Sequence, residues 1–205
     1  MRYLGGVSAS RASFARFSSL HNWLARADLP READLIFVLA GRVARKEYGF
    51  ELLQQGLAKQ ILLSVGRFEI RRFSQMPLPV PLDLLKLAQS IAPPQRHYFV
   101  HFHDGGVEVQ HIAPGRFGTL TEVRALAGWL AQHPEIRSVM VISSDAHLRR
   151  IRLCCRSVLP RNWELAFVTA PTRTEDTSAR PSFLGDLREL GKLSVYSILL
   201  KLRAR

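Results

Sequence analysis

Short runs of consecutive apolar residues, each followed by a helical pattern, constrain the fold of this chain more than any other feature. Residues 34–41 and 60–66 show this most clearly, because each run is almost wholly apolar and closes on a glycine. Strands of this kind are buried on both faces, as they are in parallel sheets. Comparable runs lie at residues 97–103, 138–144 and 163–170.

Helical periodicity fills the intervals between these strands. Helices are predicted over residues 10–27, 45–57, 82–92, 119–132, 146–159 and 183–203, with a loop at 67–81 and a short strand at 107–112. The alternation predicts an α/β fold: a doubly wound, mostly parallel sheet of about five strands with helices on both faces. We expect one domain over 1–205, with an N-terminal amphipathic helical extension at 1–30, a core at 33–170 and a closing helix at 182–205.

The sequence also bears on the compartment in which the chain works. No apolar run approaches the roughly 18 residues needed to span a bilayer, and the N-terminus lacks the apolar stretch of a signal peptide. The only cysteines, Cys154 and Cys155, are adjacent and do not suggest a disulfide framework. We therefore predict a cytoplasmic protein, and the amphipathic terminal helices leave peripheral contact with an anionic inner membrane open.

The chain is strongly basic, with a formal net charge of +12 at pH 7. Such a charge favours partners that carry phosphate, among them nucleotides, anionic lipids and nucleic acid. No nucleic-acid-binding motif or platform of stacking aromatic residues is present, which disfavours a nucleic-acid binder. The phosphate loop of NTPases, the Gly-x-Ser-x-Gly elbow of hydrolases and the three-glycine fingerprint of dehydrogenases are also missing.

Glycine, arginine and hydroxyl residues gather at four predicted strand-to-helix junctions. In an open parallel sheet these junctions share the carboxyl edge, where ligands bind. Glycine amides approach a ligand closely, helix N-termini attract anions, and arginine matches phosphate or carboxylate. A scattered surface population of arginines would also place some of them in loops, and this alternative stays open. The predicted ligand-binding residues are Gly41, Arg42, Arg45, Ser64, Gly66, Arg67, Gly118, Thr119, Ser143, Ser144, Asp145 and Arg150.

His147 and Glu122 are the two candidate catalytic residues. His147 lies three residues before Arg150 on one helix face and is a candidate proton donor; a solvated surface histidine is the alternative. Thr119 and Glu122 have the spacing of a capping box, and the alternative is that Glu122 enters the site as a base or ligand contact. Two sets of groups would hold the anion, the guanidinium groups of Arg45, Arg67 and Arg150 and the amides near Gly41, Gly66 and Ser144. We expect His147 and Arg150 to face one pocket together with Gly41 and Gly66.

Three histidines of one predicted strand, His97, His101 and His103, share a face because they alternate along it. A His-x-His pair can hold a metal ion, but the sequence shows no carboxylate or cysteine set that completes a familiar coordination pattern. We therefore predict no metal site.

Taken together, these segments resemble the YdcF/SanA/ElyC family of bacterial proteins. In that family a first strand ends in glycine with an arginine soon after, as at 38–41 with Arg45 here, and a second strand ends Ser-Gly-Gly, as at 64–66. A helix then opens Thr-x-x-Glu or Thr-x-x-Asn, as at 119–122, and a later strand ending Thr-Ser precedes x-x-His-x-x-Arg, as at 143–150. The resemblance covers roughly residues 33–170.

This chain departs from the family pattern in several places. Val65 stands for the middle glycine, Gly118 stands for the usual asparagine, and Ala113-Pro-Gly replaces a segment that often carries an acidic residue. The resemblance implies a Rossmann-like fold and a link to cell-envelope or surface-polysaccharide metabolism, and it allows S-adenosylmethionine as a cofactor. It implies no particular reaction.

The leading hypothesis is a protein that binds, and in one version processes, an anionic phosphorylated or nucleotide-like small molecule. The first alternative is a non-catalytic sensor or assembly partner that binds S-adenosylmethionine or a nucleotide. The second is an arginine-rich nucleic-acid binder. The sequence leaves the substrate, the oligomeric state and catalysis itself open.

Overall fold

The computed structural model describes residues 21–113, 115–171 and 183–203, and within them six strands form one sheet. The strands are β1 (Leu35–Val38), β2 (Gln60–Gly66), β3 (His97–His103), β4 (Gly106–His111), β5 (Ser138–Ser143) and β6 (Glu164–Thr169). Their order across the sheet is β4-β3-β2-β1-β5-β6. All five predicted strand regions and the short strand at 107–112 form strands of this sheet.

Six helices accompany the strands in the described part of the chain. They are α1 (Val43–Gln54), α2 (Ile70–Phe73), α3 (Leu84–Gln89), α4 (Gly118–Ala131), α5 (Leu148–Val158) and α6 (Phe183–Arg203). Two 3₁₀ turns, Pro93–Gln95 and Asp145–His147, precede β3 and α5. Helix α2 falls inside the predicted loop at 67–81. Most of the predicted helix at 10–27 lies outside the described residues, and of the remainder residues 21–24 are helical.

The sheet is mixed, although it is mostly parallel. Strands β2, β1, β5 and β6 are parallel, whereas β3 runs antiparallel to both β2 and β4. The prediction of an α/β sheet with helices on both faces is confirmed, and the prediction of about five strands is corrected to six. The tight turn at Asp104-Gly105-Gly106 explains why β3 and β4 are antiparallel, because so short a connection joins only antiparallel strands.

The central strand β1 is buried on both faces, which explains its unbroken apolar sequence. Leu35 and Phe37 belong to the core beneath α4 and α5, while Ile36 and Val38 belong to the core beneath α1. The helix that follows β1 therefore covers one face of the sheet, and the helix that follows β5 covers the other. Since β1 and β5 are neighbours, the chain leaves their carboxyl ends in opposite directions and opens a crevice between them.

Helix α6 packs against α5 and closes the face that carries α4 and α5. Its Tyr196 is buried in that core, while Leu184, Ile198 and Leu202 are exposed. Among the helices of the described residues, none has both the length and the apolar character that crossing a bilayer requires.

Candidate functional site

A cleft of about 410 Å³ lies where the carboxyl ends of β1 and β5 diverge. Its walls come from the end of β1, the junction between β5 and α5, the first turns of α4, and α6. Eight predicted site residues line it: Gly41, Arg45, Gly118, Thr119, Glu122, Ser143, His147 and Arg150. Residues outside the predicted set also line it, among them Arg116, Phe117, Lys192 and Tyr196.

The other six predicted residues, Arg42, Ser64, Gly66, Arg67, Ser144 and Asp145, do not line the cleft. Arg67 is exposed and its guanidinium lies over the Phe68 ring, 4.4 Å from the centroid. Asp145 faces His21 instead, with its Oδ2 3.3 Å from the His21 Nε2. Ser64, Gly66 and Ser144 contact neighbouring side chains of the protein. Ser64 contacts His97, the Gly66 amide donates to Glu69, and the Ser144 hydroxyl accepts from Arg45.

Arg45 is the most unusual side chain of the cleft. It is only 7% exposed, and its Nη1 and Nη2 donate to the Ala40 carbonyl and the Ser144 hydroxyl, both at 2.8 Å. Its Nε has no hydrogen-bond partner, and none of the described carboxylates forms an ion pair with it. Buried charged groups are almost always paired, because removing a charge from water is costly. Arg45 therefore presents to the cleft a guanidinium that has no ion-pair partner among the described residues, although the charges of Glu122 and Glu69 act on it from a greater distance.

Gly41 allows the Arg45 side chain to take this position. Its φ of +141° is a backbone conformation that other residues rarely adopt. A Cβ at Gly41 would also lie 2.6 Å from the Arg45 Nη1, closer than any ordinary contact. A side chain at position 41 would therefore displace the guanidinium.

The contacts of His147 define its protonation. Its Nδ1 lies 3.3 Å from the Arg45 Nη2, and since a guanidinium can only donate, Nδ1 accepts and the proton sits on Nε2. Nε2 lies 3.4 Å from the Glu189 Oε1. Burial lowers the pKa of His147, although Glu189 opposes the effect. The imidazole is therefore neutral at neutral pH, and its one lone pair, on Nδ1, already accepts from Arg45.

Arg150 lines the cleft, and side chains of the protein itself already hold its guanidinium. Its Nε and Nη2 lie 3.1 and 3.0 Å from the Glu189 Oε2, and its Nη1 donates to the Thr119 hydroxyl. Lys192 binds the second oxygen of Glu189 at 2.6 Å. Burial alone would raise the pKa of Glu189, but hydrogen bonds from His147 and Lys192 and the charge of Arg150 lower it to about 2.

A Glu189→Gln variant should be less stable than the parent protein at neutral pH, and the difference should narrow in acid. A carboxyl whose pKa is lowered from 4.5 to about 2 stabilises the fold above pH 4.5 and loses that contribution as the pH falls toward 2. Melting temperatures between pH 7 and pH 3 test this. Glu164→Gln, which removes an exposed carboxylate, is the control. A constant difference between Glu189→Gln and the parent across the range would contradict the expectation.

The predicted capping box at Thr119 and Glu122 is wrong. Helix α4 begins at Gly118 with Phe117 as its N-cap and no side-chain cap, so Thr119 lies inside the first turn. The Thr119 hydroxyl accepts from Arg150, and the Glu122 Oε1 accepts the Ala40 amide at 2.8 Å. Both side chains therefore face the cleft. Burial raises the pKa of Glu122, although hydrogen bonds from Ser64 and Ala40 oppose the effect.

A carboxylate of the protein accepts the two glycine amides that were predicted to bind a ligand. Glu69 accepts the Gly41 amide at 3.0 Å and the Gly66 amide at 2.7 Å. It also pairs with the fully buried Lys46, whose Nζ lies 2.5 Å from the Glu69 Oε2. The sequence analysis missed both residues, although Glu69 lies only three positions after Gly66. The contacts of Glu69 with these amides and with Lys46 therefore hold the end of β1 in place.

A second polar pair lies behind Glu122. The Ser64 hydroxyl is 2.7 Å from the His97 Nε2, which in turn lies 4.0 Å from the Glu122 Oε1. Burial lowers the pKa of His97 to about 4, with the charge of Lys46 adding to the effect. His97 is therefore neutral and supports Glu122 without carrying charge into the site.

Comparison of the chain with protein-family models, with curated proteins and with solved structures gave no match. The resemblance to the YdcF/SanA/ElyC family remains a hypothesis. Three side chains define the chemistry of the site: the buried guanidinium of Arg45, which has no ion-pair partner among the described residues, the neutral imidazole of His147 and the buried carboxyl of Glu122, whose pKa is raised.

Proposed function

We propose that this protein binds an anionic small molecule, phosphorylated or nucleotide-like, in the cleft between β1 and β5. The observation that carries the proposal is the Arg45 guanidinium, which is buried at the cleft without an ion-pair partner among the described residues. An anion beside it would supply an ion-pair partner and accept hydrogen bonds from the guanidinium N–H groups that Ala40, Ser144 and His147 leave free.

The balance of charge around the cleft supports an anion. Four cations and one carboxyl line it: Arg45, Arg116, Arg150, Lys192 and Glu122. Glu189 pairs with Arg150 and Lys192, which leaves one net positive charge on these three residues. Arg45 and Arg116 have no ion-pair partner among the described residues and add two more. The raised pKa of Glu122 lets this carboxyl hold a proton more readily than an exposed one, which lessens repulsion of an anion.

The position and size of the cleft also support a small-molecule ligand. We infer a doubly wound arrangement in which β1 and β5 flank the switch point, and such crevices bind ligands in open α/β sheets. A cavity of about 410 Å³ lies within the range of small-molecule sites. A concave site of this size suits a nucleotide-sized ligand better than a nucleic-acid duplex.

The second candidate is a non-catalytic sensor that binds S-adenosylmethionine or a nucleotide. The observation that favours it is the engagement of Arg150 with Glu189 and Thr119, which leaves few of its donors for a reacting group. Processing of the ligand would instead use Glu122 as proton carrier, and His147 would accept a proton only if the ligand drew Arg45 away from its Nδ1. The link to cell-envelope metabolism and the cytoplasmic location are further parts of this proposal, and they rest on the sequence.

Thermal shift measurements with inorganic phosphate, a sugar phosphate, a nucleoside diphosphate, S-adenosylmethionine and duplex DNA in low salt test the proposal. At least one anionic small molecule should raise the melting temperature, since ligand at 100 times its Kd stabilises the native state by about 2.7 kcal/mol. A shift with S-adenosylmethionine alone would favour the sensor. No shift with any small molecule, or a shift with DNA alone, would overturn small-molecule binding.

A further inference from the structure

Three side chains with metal-binding atoms meet at the edge of the sheet opposite the cleft. His101 and His103 belong to β3, and Glu108 of the neighbouring β4 is directly opposite His101 in the register. One ligand atom from each residue lies within 4.8 Å of the other two. The sequence pattern did not indicate Glu108 as a metal ligand. Only the pairing of β3 with β4 places it beside His101.

His101 carries the strongest indication of a bound cation. Its Nε2 lies 2.7 Å from the Gln60 Oε1, an acceptor, so Nε2 holds the proton and Nδ1 presents a lone pair. Nδ1 is buried, has no hydrogen-bond partner in the described structure, and lies 3.7 Å from the Glu108 Oε2. Two acceptors therefore face each other with no donor between them. The side chain itself is only 6% exposed and packs edge-on against Trp129.

His103 completes the set from the solvent side. Its Nε2 lies 3.7 Å from the Glu108 Oε1, so the carboxylate stands between the two imidazoles. Its Nδ1 accepts the Gly105 amide at 3.0 Å. Metal binding at Nε2 would move the ring proton to Nδ1 and open this contact, a change confined to the exposed turn.

We propose that His101 Nδ1, His103 Nε2 and one oxygen of Glu108 bind a divalent transition metal of the Zn²⁺ class. Two imidazoles and a carboxylate are ligands that Zn²⁺ takes readily, whereas Ca²⁺ and Mg²⁺ prefer oxygen alone. Tetrahedral zinc with bonds near 2.1 Å needs ligand atoms about 3.4 Å apart. Each histidine nitrogen now lies 3.7 Å from an oxygen of Glu108, and the three ligand atoms lie within 4.8 Å of one another. Glu108 is largely exposed and can close the gap.

The surroundings fit a metal site in two further respects. The Gln60 contact fixes the tautomer and orientation of the His101 ring, as the outer partners of metal-binding histidines do. A cavity of about 340 Å³ adjoins His101 and Glu108 and leaves room for a fourth ligand. The site does not depend on the function proposed for the cleft.

Titration calorimetry of the tag-free full chain, freed of metal by EDTA and dialysis, with Zn²⁺ alone as probe, tests the proposal. One Zn²⁺ per chain should bind with a Kd on the order of 1 μM or tighter. Glu108→Gln and His103→Asn should each weaken binding by more than about tenfold, since even outer partners of metal ligands are worth roughly 10–100-fold. His111→Asn, an exposed histidine of the same hairpin, should bind as the parent does.

Glu108→Gln is the decisive variant, because its side chain is exposed and the substitution should not disturb folding, whereas His101 supports the core. The melting temperature of the parent should rise with Zn²⁺ and that of Glu108→Gln should rise less. Absence of stoichiometric Zn²⁺ binding to the parent would overturn the proposal. Equal affinities for the parent, Glu108→Gln and His103→Asn would also overturn it, because the bound metal would then lie elsewhere.

Discussion

Replacing Glu69 by glutamine is expected to lower the free energy of unfolding by about 3–5 kcal/mol, because it leaves a buried charge without its partner. The partner is Lys46, whose side chain is fully buried and whose Nζ lies 2.5 Å from the carboxylate. Glutamine also offers one acceptor where the carboxylate receives the amides of Gly41 and Gly66. Urea denaturation followed by circular dichroism measures the change.

Two control variants distinguish the effect of leaving Lys46 without its partner from the effect of removing any carboxylate. Glu135→Gln removes an exposed carboxylate and should leave the unfolding free energy within about 0.5 kcal/mol of the parent. The double variant Lys46→Met/Glu69→Gln should recover much of the loss, because no charge of the pair is then left in the interior without its partner. A loss below about 1 kcal/mol for Glu69→Gln alone would contradict the importance of the pair.

The second large effect is expected at Arg45. Arg45→Met should weaken binding of the anionic ligand by about 10–100-fold, which corresponds to the loss of a hydrogen bond to a charged group. Its melting temperature should stay close to that of the parent, because the variant loses three hydrogen bonds but also removes a buried charge that has no ion-pair partner among the described residues. Titration calorimetry and thermal melts of the same preparations measure both.

Arg67→Gln is the matched control for Arg45→Met. Both arginines follow strand ends and both were predicted to clamp the ligand, but Arg67 is exposed and lies outside the cleft. Arg67→Gln should bind the ligand as the parent does. Equal losses in the two variants would indicate a diffuse effect of net charge and not a site at Arg45.

Most of the fold could be predicted because strands that are buried on both faces have nearly unbroken apolar sequences. The runs at 34–41 and 138–144 contain few polar residues, and both form central strands. The direction of β3 could not be predicted in the same way. A strand has the same apolar pattern in either direction, and the 30 residues after Gly66 contain only short helices. The sequence predicted α3, within residues 82–92, but not α2.

The location of the candidate site could also be predicted, but not the contacts within it. Strand ends and glycines place Gly41, Arg45 and His147 at one edge of the sheet by topology alone. The groups that attract an external anion attract the carboxylates of the protein equally well, however. Glu69 thus takes the amides of Gly41 and Gly66, and Glu189, 39 residues beyond Arg150, takes its guanidinium. Pairings over such separations depend on how helices pack, which local patterns do not reveal.

The most direct test of anion binding in the cleft is a crystal structure of the protein soaked with tungstate, a heavy tetrahedral oxyanion. Its anomalous signal locates bound anions independently of the atomic model. We expect a tungstate within hydrogen-bond distance of the Arg45 guanidinium, between the ends of β1 and β5. Tungstate bound only in the surface groove lined by Arg26, Arg149 and Arg156, with none beside Arg45, would contradict the proposed function.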